Sequence, residues 1–325
     1  MKLQNLGERE LISRIRKDFS KFIPDVFLGI GDDAAVVKVG KKYLIFTKDL
    51  LFEGIHFIKD LHPPYLLGRK SLNVNLSDIA AVGGVPKYAL LGLGLPSKTD
   101  TGWLKEYFSG FKSAVEEGGL ALIGGDISES KKISISVTVI GEGQNIIQRG
   151  GAKEGHLLFV SGSLGDTKQG FILLKKGYRL GDDKRADLFL KAFLNPLPQI
   201  SLGKELSRLN LASSMIDVSD GLSVDLSHLC QESGVGAEVY LDRLPLSPEI
   251  YHFRKQPYGL ALHGGEDYQL LFTVPPQNLK FLLRLQKKYR ITSIGRIIKK
   301  RQIFLVNQKG KRKPLKISGY QHFKK

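Results

Sequence analysis

A single cysteine, Cys230, is all the thiol chemistry the chain has. That excludes an intramolecular disulfide and a cysteine-rich zinc site, and Cys230 reads as a small apolar packing residue. Long apolar runs are also missing. The uncharged stretches fall far short of a membrane span, and Glu8, Arg9 and Glu10 stand where a secretory signal would need its apolar segment. The expectation is a cytoplasmic protein without membrane contact. Carboxylates are scarce, with 32 Asp and Glu against 49 Lys and Arg for a formal charge of +17. Such an excess can mark a nucleic-acid binder. Here the cations read as scattered, with modest clusters only at Lys299–Arg301 and Lys309–Lys313 and no stacking aromatics interleaved. Attraction of small anionic substrates explains the charge equally well, and nucleic acid is not expected as the primary partner.

The familiar nucleotide-binding signatures are absent too. There is no GxxxxGK[ST] phosphate loop, no GxGxxG opening a helix after a strand, and neither HRD nor DFG. GLGLP at 92–96 lacks the third glycine and reads as strand. If this chain handles a nucleotide, something other than a glycine-rich loop must hold the phosphates.

What is present is material for two cores: 325 residues, 42% of them hydrophobic. In the first half, Leu11, Ile12, Ile15 and Phe19 recur at helical spacing, and strands are expected at 35–39 and 43–47 around a Gly40–Lys41 turn. Pro63 and Pro64 suit the first turn of a helix running towards Ala81, before Gly83 and Gly84. A buried strand is expected at 88–95 and a helix over 101–117. Ile133, Ile135, Val137 and Val139 alternate with Ser134, Ser136 and Thr138 as a half-buried strand should. After the turn-rich stretch 141–151 the pattern restarts, which places a division at 148 between domains 1–148 and 149–325. The second half predicts helices near 167–176, 199–209 and 222–233 and strands near 157–160, 237–241, 269–274 and 291–297. Without regular βαβ succession, the fold class is α+β rather than a doubly wound parallel sheet.

Five segments pair aspartate with glycine or small residues: GIGDDAAVV (29–37), NLSDIAAVGG (75–84), IGGDIS (123–128), IDVSDGL (216–222) and GGEDYQLL (264–271). Glycine lets a backbone approach a ligand closely, and a carboxylate offers hard oxygen to magnesium. Each motif alone also fits ordinary turn and helix-cap chemistry; Ser219 or Asp220, for instance, could cap a helix beginning near Leu222. Taken together they put Asp32, Asp78, Asp126 and Asp217 at the ends of apolar segments, where unpaired carboxylates are costly without a counter-ion. A shared group of magnesium ions bridging to phosphates would satisfy them all.

In order and spacing these motifs, with FTKDLLFEGIHF (46–57) and RGGAKEGHLLFVSGSLGD (149–166), resemble the thiamine-monophosphate kinase family over nearly the whole chain. That family sits in a superfamily with aminoimidazole ribonucleotide synthetase, selenophosphate synthetase and the hydrogenase-maturation dehydratase. The last two use a reactive cysteine near one terminus or the other, which this chain lacks. The resemblance implies magnesium ligands at Asp32, Thr47, Lys48, Asp49, Asp78, Asp126, Asp217 and Asp220, and ATP contacts from Gly125, Asp126, Arg149 and Ser219. It implies substrate contacts from His56 in EGIHF, Glu266 in GGEDYQLL and Tyr320 in the terminal GYQHF. It further implies an N-terminal α+β domain whose sheet pairs with its copy in a homodimer, a C-terminal α+β domain, and ATP in the groove between them.

The chemistry so implied joins ATP and thiamine monophosphate to give thiamine diphosphate and ADP. A phosphomonoester has a second pKa near 6, so the acceptor is already an anion at neutral pH and no protein residue is assigned as general base. Other ATP-using members of the superfamily, or a protein that binds ATP or thiamine diphosphate without turnover, are the alternatives. Lys48 departs from the family, which usually has serine or threonine there; a ligand at this position would be its backbone carbonyl.

Overall fold

The computed structural model describes residues 3–19, 21, 23–320 and 322–323. The chain starts with α1 (Leu3–Leu6) and α2 (Glu8–Phe19) and continues into β1 (Val26–Leu28), β2 (Ala35–Val39) and β3 (Lys42–Phe52). Then come α3 (Pro64–Ala81), β4 (Val85–Leu95), α4 (Thr101–Gly118), β5 (Ala121–Glu129) and β6 (Ser134–Gly143). The six strands form one sheet in the order β1-β2-β3-β6-β4-β5, with β4 and β5 parallel.

Period-two patterning decides which face is covered. Ile135, Val137 and Val139 are buried beneath α3 and α4, together with Leu91 and Leu93 of β4. The two helices cross closely at Gly68 and Gly110, where a Cβ would overlap the backbone carbonyl of Tyr107 or Tyr65. The other face of the sheet carries no helix among the described residues, and Leu50, Phe52, Tyr88 and Leu90 lie exposed on it. The strand expected at 88–95 is therefore half-buried rather than buried, because its even-numbered residues face outwards. β5, which the sequence pattern did not reveal, is an edge strand exposed at all 9 residues.

Residues 144–156 lead to a second sheet. Its elements are β7 (Leu157–Ser161), α5 (Asp166–Lys175), α6 (Lys184–Leu194), α7 (Ile200–Arg208), β8 (Ser214–Asp217), α8 (Leu222–Ser233) and β9 (Gly236–Tyr240). They continue with α9 (Ile250–Phe253), α10 (Tyr258–His263), β10 (Leu270–Val274), α11 (Leu279–Leu285), β11 (Ile291–Ile298), β12 (Ile303–Val306) and β13 (Arg312–Pro314). Strand order is β13-β12-β9-β11-β7-β10-β8. One face packs on α8 and α10. The other packs on α7, α11 and the end of α3, through Ala80 and Ala81. Both domains are mixed or antiparallel sheets with helices laid on them, the α+β architecture expected. Cys230 packs in the core, its thiol pushed up to about 12 by burial.

α3 belongs to both halves. It is buried on nearly every side from Leu67 to Ser77, which is why its polar residues all have partners. Arg69 makes a bidentate pair with Glu117, and Asn73 donates to the Pro196 carbonyl at 2.9 Å. Its C-terminal turn carries Ser77 and Asp78 to the seam between the sheets, and β8 brings Asp217 to the same seam.

Candidate metal and phosphate site

Gly31, at φ +115°, turns the chain so that Asp32 and Asp33 both face Arg149. The Arg149 backbone N–H donates to Asp32 Oδ2 at 3.1 Å, and its guanidinium donates to Asp33 Oδ1 at 2.6 Å and to the Gly31 carbonyl at 3.2 Å. Thr47 and Asp49 project from the inner face of β3 towards α3. The Thr47 hydroxyl donates to Asp78 Oδ2, and the Asp49 N–H donates to Asn75 Oδ1 at 3.0 Å. Asp217, 1% exposed at the end of β8, accepts from the Ser77 hydroxyl at 2.7 Å. Carboxylate oxygens of Asp33, Asp78 and Asp217 all lie within 4.8 Å of one another.

Three charges at that spacing repel strongly. Two unit charges 4.8 Å apart oppose each other by about 3.5 kcal/mol at an effective dielectric of 20. Burial, followed by repulsion from its neighbours, accordingly raises Asp217 to about 7 and Asp78 well above the usual carboxylate range. Burial raises Asp32 and Asp49 to about 6 each. Arg149 offsets part of this: burial opposes its charge, but Asp33 and Asp32 hold its pKa above the ordinary value. Asp33 Oδ2 is buried with no hydrogen-bond partner. A buried, unpartnered carboxylate oxygen within a trio of hard ligands fits a divalent cation that prefers oxygen. Asp33 was not among the sequence candidates; the doubled aspartate after Gly31 was the available signal.

The loop from β8 to α8 supplies Ser219 and Asp220. Neither caps α8, whose N-cap residue is Gly221; instead Asp225 within the helix reaches back, its Oδ2 accepting from the Asp220 and Gly221 N–H groups at 3.2 and 3.0 Å. The Ser219 carbonyl accepts from the Glu266 N–H at 2.7 Å, and the Asp220 carbonyl from Tyr320 N–H at 3.1 Å. GGEDYQLL and the C-terminal segment are thereby pinned to this loop.

A cavity of about 530 Å³ opens beside the carboxylates and is lined by His56, Glu266, Tyr320 and His322 among others. It shares Lys48, Asp49 and Ser219 with the cleft containing Asp32, Asp33, Asp78, Arg149 and Asp217. The three expected substrate contacts thus meet in one chamber next to the carboxylates. The Phe52 N–H donates to His56 Nδ1 at 3.0 Å, which places the proton of the neutral ring on Nε2. Burial, and then His322, lower its pKa and favour that neutral form. Gln321 of the terminal motif lies outside the described residues. Lys70, unread in the sequence, is fully buried beneath this chamber. Its ammonium pairs with Glu266 at 2.8 Å, donates to the Phe193 carbonyl at 3.2 Å and lies 4.2 Å from the Phe193 ring centre.

Gly125 and Asp126 stand apart. Sheet register aligns Leu50, Ser136, Gly92 and Asp126 across one face, the outer one. Asp126 is three strand spacings from β3, roughly 14 Å at about 4.8 Å each, and neither it nor Gly125 lines either cleft. The Lys48 side chain also points outwards, its ammonium donating to Ser136 Oγ at 2.7 Å. Lys48 nonetheless lies on the border of both clefts.

Comparison with known proteins gives this arrangement a class. Residues 31–142 match the AIR synthase related protein N-terminal domain, and residues 153–307 match the corresponding C-terminal domain. The thiamine-monophosphate kinases of Aquifex aeolicus and Haemophilus influenzae are 37% and 38% identical to the chain, over 99% and 98% of it and 100% and 98% of their own lengths. The chain belongs to the thiamine-monophosphate kinase family. A solved structure described as AaThiL complexed with AMPPCP and TMP superposes with a TM-score of 0.90 at 36% identity, covering 99% of both chains. The hydrogenase maturation protein HypE in complex with ATP shares the fold alone, at a TM-score of 0.69 and 18% identity.

Proposed function

We propose that the chain transfers the γ-phosphoryl group of ATP to thiamine monophosphate, giving thiamine diphosphate and ADP. One observation carries the proposal: the Asp33–Asp78–Asp217 trio, with its buried unpartnered oxygen, adjoins a chamber large enough for an organic phosphate. The AaThiL complex with AMPPCP and TMP supports this pair of substrates, being that of a relative matched over its whole length. Magnesium ions would be held by Asp32, Asp33, Asp49, Asp78 and Asp217, with Thr47, the Lys48 carbonyl and Asp220 at the margin. When bound, they supply charge neutralisation for two phosphate groups that would otherwise repel.

The residues themselves position and exclude. Arg149, anchored on Asp33 and Gly31, presents a fixed fork to the nucleotide phosphates. Ser219 lies where both clefts meet, within reach of either substrate. Lys70 holds Glu266 at the chamber wall, and His56 and Tyr320 line the organic part of the acceptor's site. No side chain is needed as a base, because the attacking oxygen belongs to a phosphate dianion at about pH 7.5.

Gly125 and Asp126 join this site only from a second copy. The bare outer face of the first sheet carries Leu50, Phe52, Tyr88 and Leu90, and the edge strand β5 beside it has Leu122, Ile123 and Ile127 45%, 55% and 66% exposed. A homodimer that buries this face removes the edge-strand liability and brings each Asp126 towards the other chain's β3. Incubation with ATP, magnesium and thiamine monophosphate, followed by chromatographic separation of the products, tests the activity. Thiamine diphosphate accumulating with ADP in equal amounts supports it; ATP consumption without thiamine diphosphate refutes it.

A further inference from the structure

Charge is segregated along this chain. Residues 268–325 hold 16 Lys and Arg and no Asp or Glu, which leaves 33 cations against 32 acids in the first 267 residues. Scattered cations, the expectation from two short clusters, therefore describe only the first part. Folding gathers part of the rest at one edge of the second sheet. Lys299, Lys300 and Arg301 lead into β12, while Lys309, Lys311, Arg312 and Lys313 follow the turn into β13 at the sheet's edge.

The face they surround is open. Register puts Arg296, Glu238, Tyr240, Phe304 and Arg312 on one side, opposite the core residues Ala237, Val239, Ile297 and Ile303. On that side the apolar cluster under α7 and α11 takes in β7, β8, β10 and Ile291 of β11, and stops there. Among the described strand residues on this side Glu238 is the one carboxylate, paired with Arg296 at 2.8 Å and with Arg312, and the two arginine side chains stay 49% and 55% exposed. Two half-buried rings complete the surface, each with a surface cation over one face that a base would replace: Arg243 is 4.6 Å from the Tyr240 ring centre and Lys300 is 5.3 Å from that of Phe304.

Drawing anionic substrates to the phosphate site does not account for this placement. β12 is five strand spacings from β8 and Asp217, about 24 Å at about 4.8 Å per strand. The screening length in physiological salt is only about 8 Å. So many unneutralised cations on one edge repel one another, and a polyanion relieves that repulsion.

We propose that this open half-face of the second sheet binds single-stranded nucleic acid. The lysines and arginines that lead into β12, and those of the turn after it and of β13, take the phosphates, and Tyr240 and Phe304 receive unstacked bases, which a duplex keeps covered. The proposal is independent of the kinase reading.

Fluorescence anisotropy of the full chain with a labelled mixed-sequence 20-nucleotide RNA tests it. Binding at about 50 mM salt is expected to weaken by roughly 10- to 100-fold at about 200 mM. A variant combining Lys299→Gln, Arg301→Gln, Lys309→Gln, Lys311→Gln and Lys313→Gln is expected to lose at least about 10-fold in affinity and show a shallower salt slope, with kinase turnover unchanged. Tyr240→Leu with Phe304→Leu is expected to lose about 5-fold or more while keeping the slope. Should Phe304→Leu unfold the edge, which thermal unfolding would show, Tyr240→Leu alone carries the same expectation. The proposal is overturned by no binding at 50 mM salt, by unchanged affinity in the five-fold variant, by equal affinity for the matched duplex, or by sedimentation with phosphatidylserine vesicles in place of RNA binding.

Discussion

The carboxylate cluster and the chamber beside it are built by opposite means. The cluster is assembled mostly from regular elements: Asp78 in the last turn of α3, Asp217 at the end of β8 and Thr47 and Asp49 within β3, with Asp33 added from the turn before β2. Its atoms are close because two sheets meet there, and what it needs is an external cation. The chamber is assembled from irregular backbone and the chain's C-terminal segment, with Glu266 at φ +67° and Tyr268 at φ +49°. Its charges are neutralised internally, through the Lys70–Glu266 pair. One region stores repulsion that a ligand relieves, and the other is already balanced and shapes a ligand's site. Substitutions should therefore cost turnover in the first and substrate recognition in the second.

The largest effect is expected in the cluster. Asp217→Asn or Asp78→Asn keeps volume but removes a hard anionic ligand, and turnover should fall by at least about 100-fold with the fold intact. Steady-state assays across magnesium concentrations, alongside thermal unfolding, check this. Near-wild-type turnover in both variants would remove them from the metal site. Arg149→Lys should be next, at about 10-fold or more in kcat/KM for ATP, because lysine cannot reproduce the fork to Asp33 and Gly31.

Lys70→Met sharpens the contrast from the chamber side. It leaves Glu266 without its buried partner, so the KM for thiamine monophosphate should rise about 10-fold while that for ATP changes little. A rise in the ATP value instead would show that the two regions are not separable. Stability should separate them as well. Asp217 at about 7, Asp78 well above the usual range and Asp267 at about 8 are all raised by burial in the folded chain, so in this range the folded state binds more protons than the unfolded one. Their contribution is fully present below about pH 4 and lost as pH rises through these values. In chelator, the melting temperature should fall between pH 6 and 8. Magnesium should raise it more at pH 8 than at pH 6, since ions compete with protons for the cluster. An equal magnesium effect at both values would contradict the cluster as the binding site. The smallest effect is expected for Lys48→Thr, within a few-fold in turnover, because the ammonium lies on the outer face with Ser136. A large gain with a lower magnesium requirement would show that lysine displaced a side-chain ligand.

The same contrast governs what could be read from sequence. Periodicity exposed β2, β6, α4 and α8, whose apolar faces are regular, and the glycine–aspartate motifs exposed Asp32, Asp78 and Asp217. Which of Asp32 and Asp33 turns towards the trio depends on a backbone turn at Gly31 that no residue pattern specifies. β5 escaped notice because it is exposed along its whole length and has no core face to pattern. α6 escaped despite buried Ala186, Phe189, Leu190 and Phe193 at helical spacing. Lys70 was invisible for a different reason: a lysine in a helix is ordinarily a solvent residue, and only the burial of α3 on nearly all sides makes it structural.

The most direct measurement follows labelled phosphate from γ-labelled ATP into thiamine diphosphate as magnesium is varied, in the wild-type chain and in Asp217→Asn. The account expects label in thiamine diphosphate, saturable in magnesium and abolished by chelator, with the variant reduced by at least about 100-fold at every concentration. Label appearing only as free phosphate, or thiamine diphosphate formed by Asp217→Asn at the wild-type rate, would contradict it.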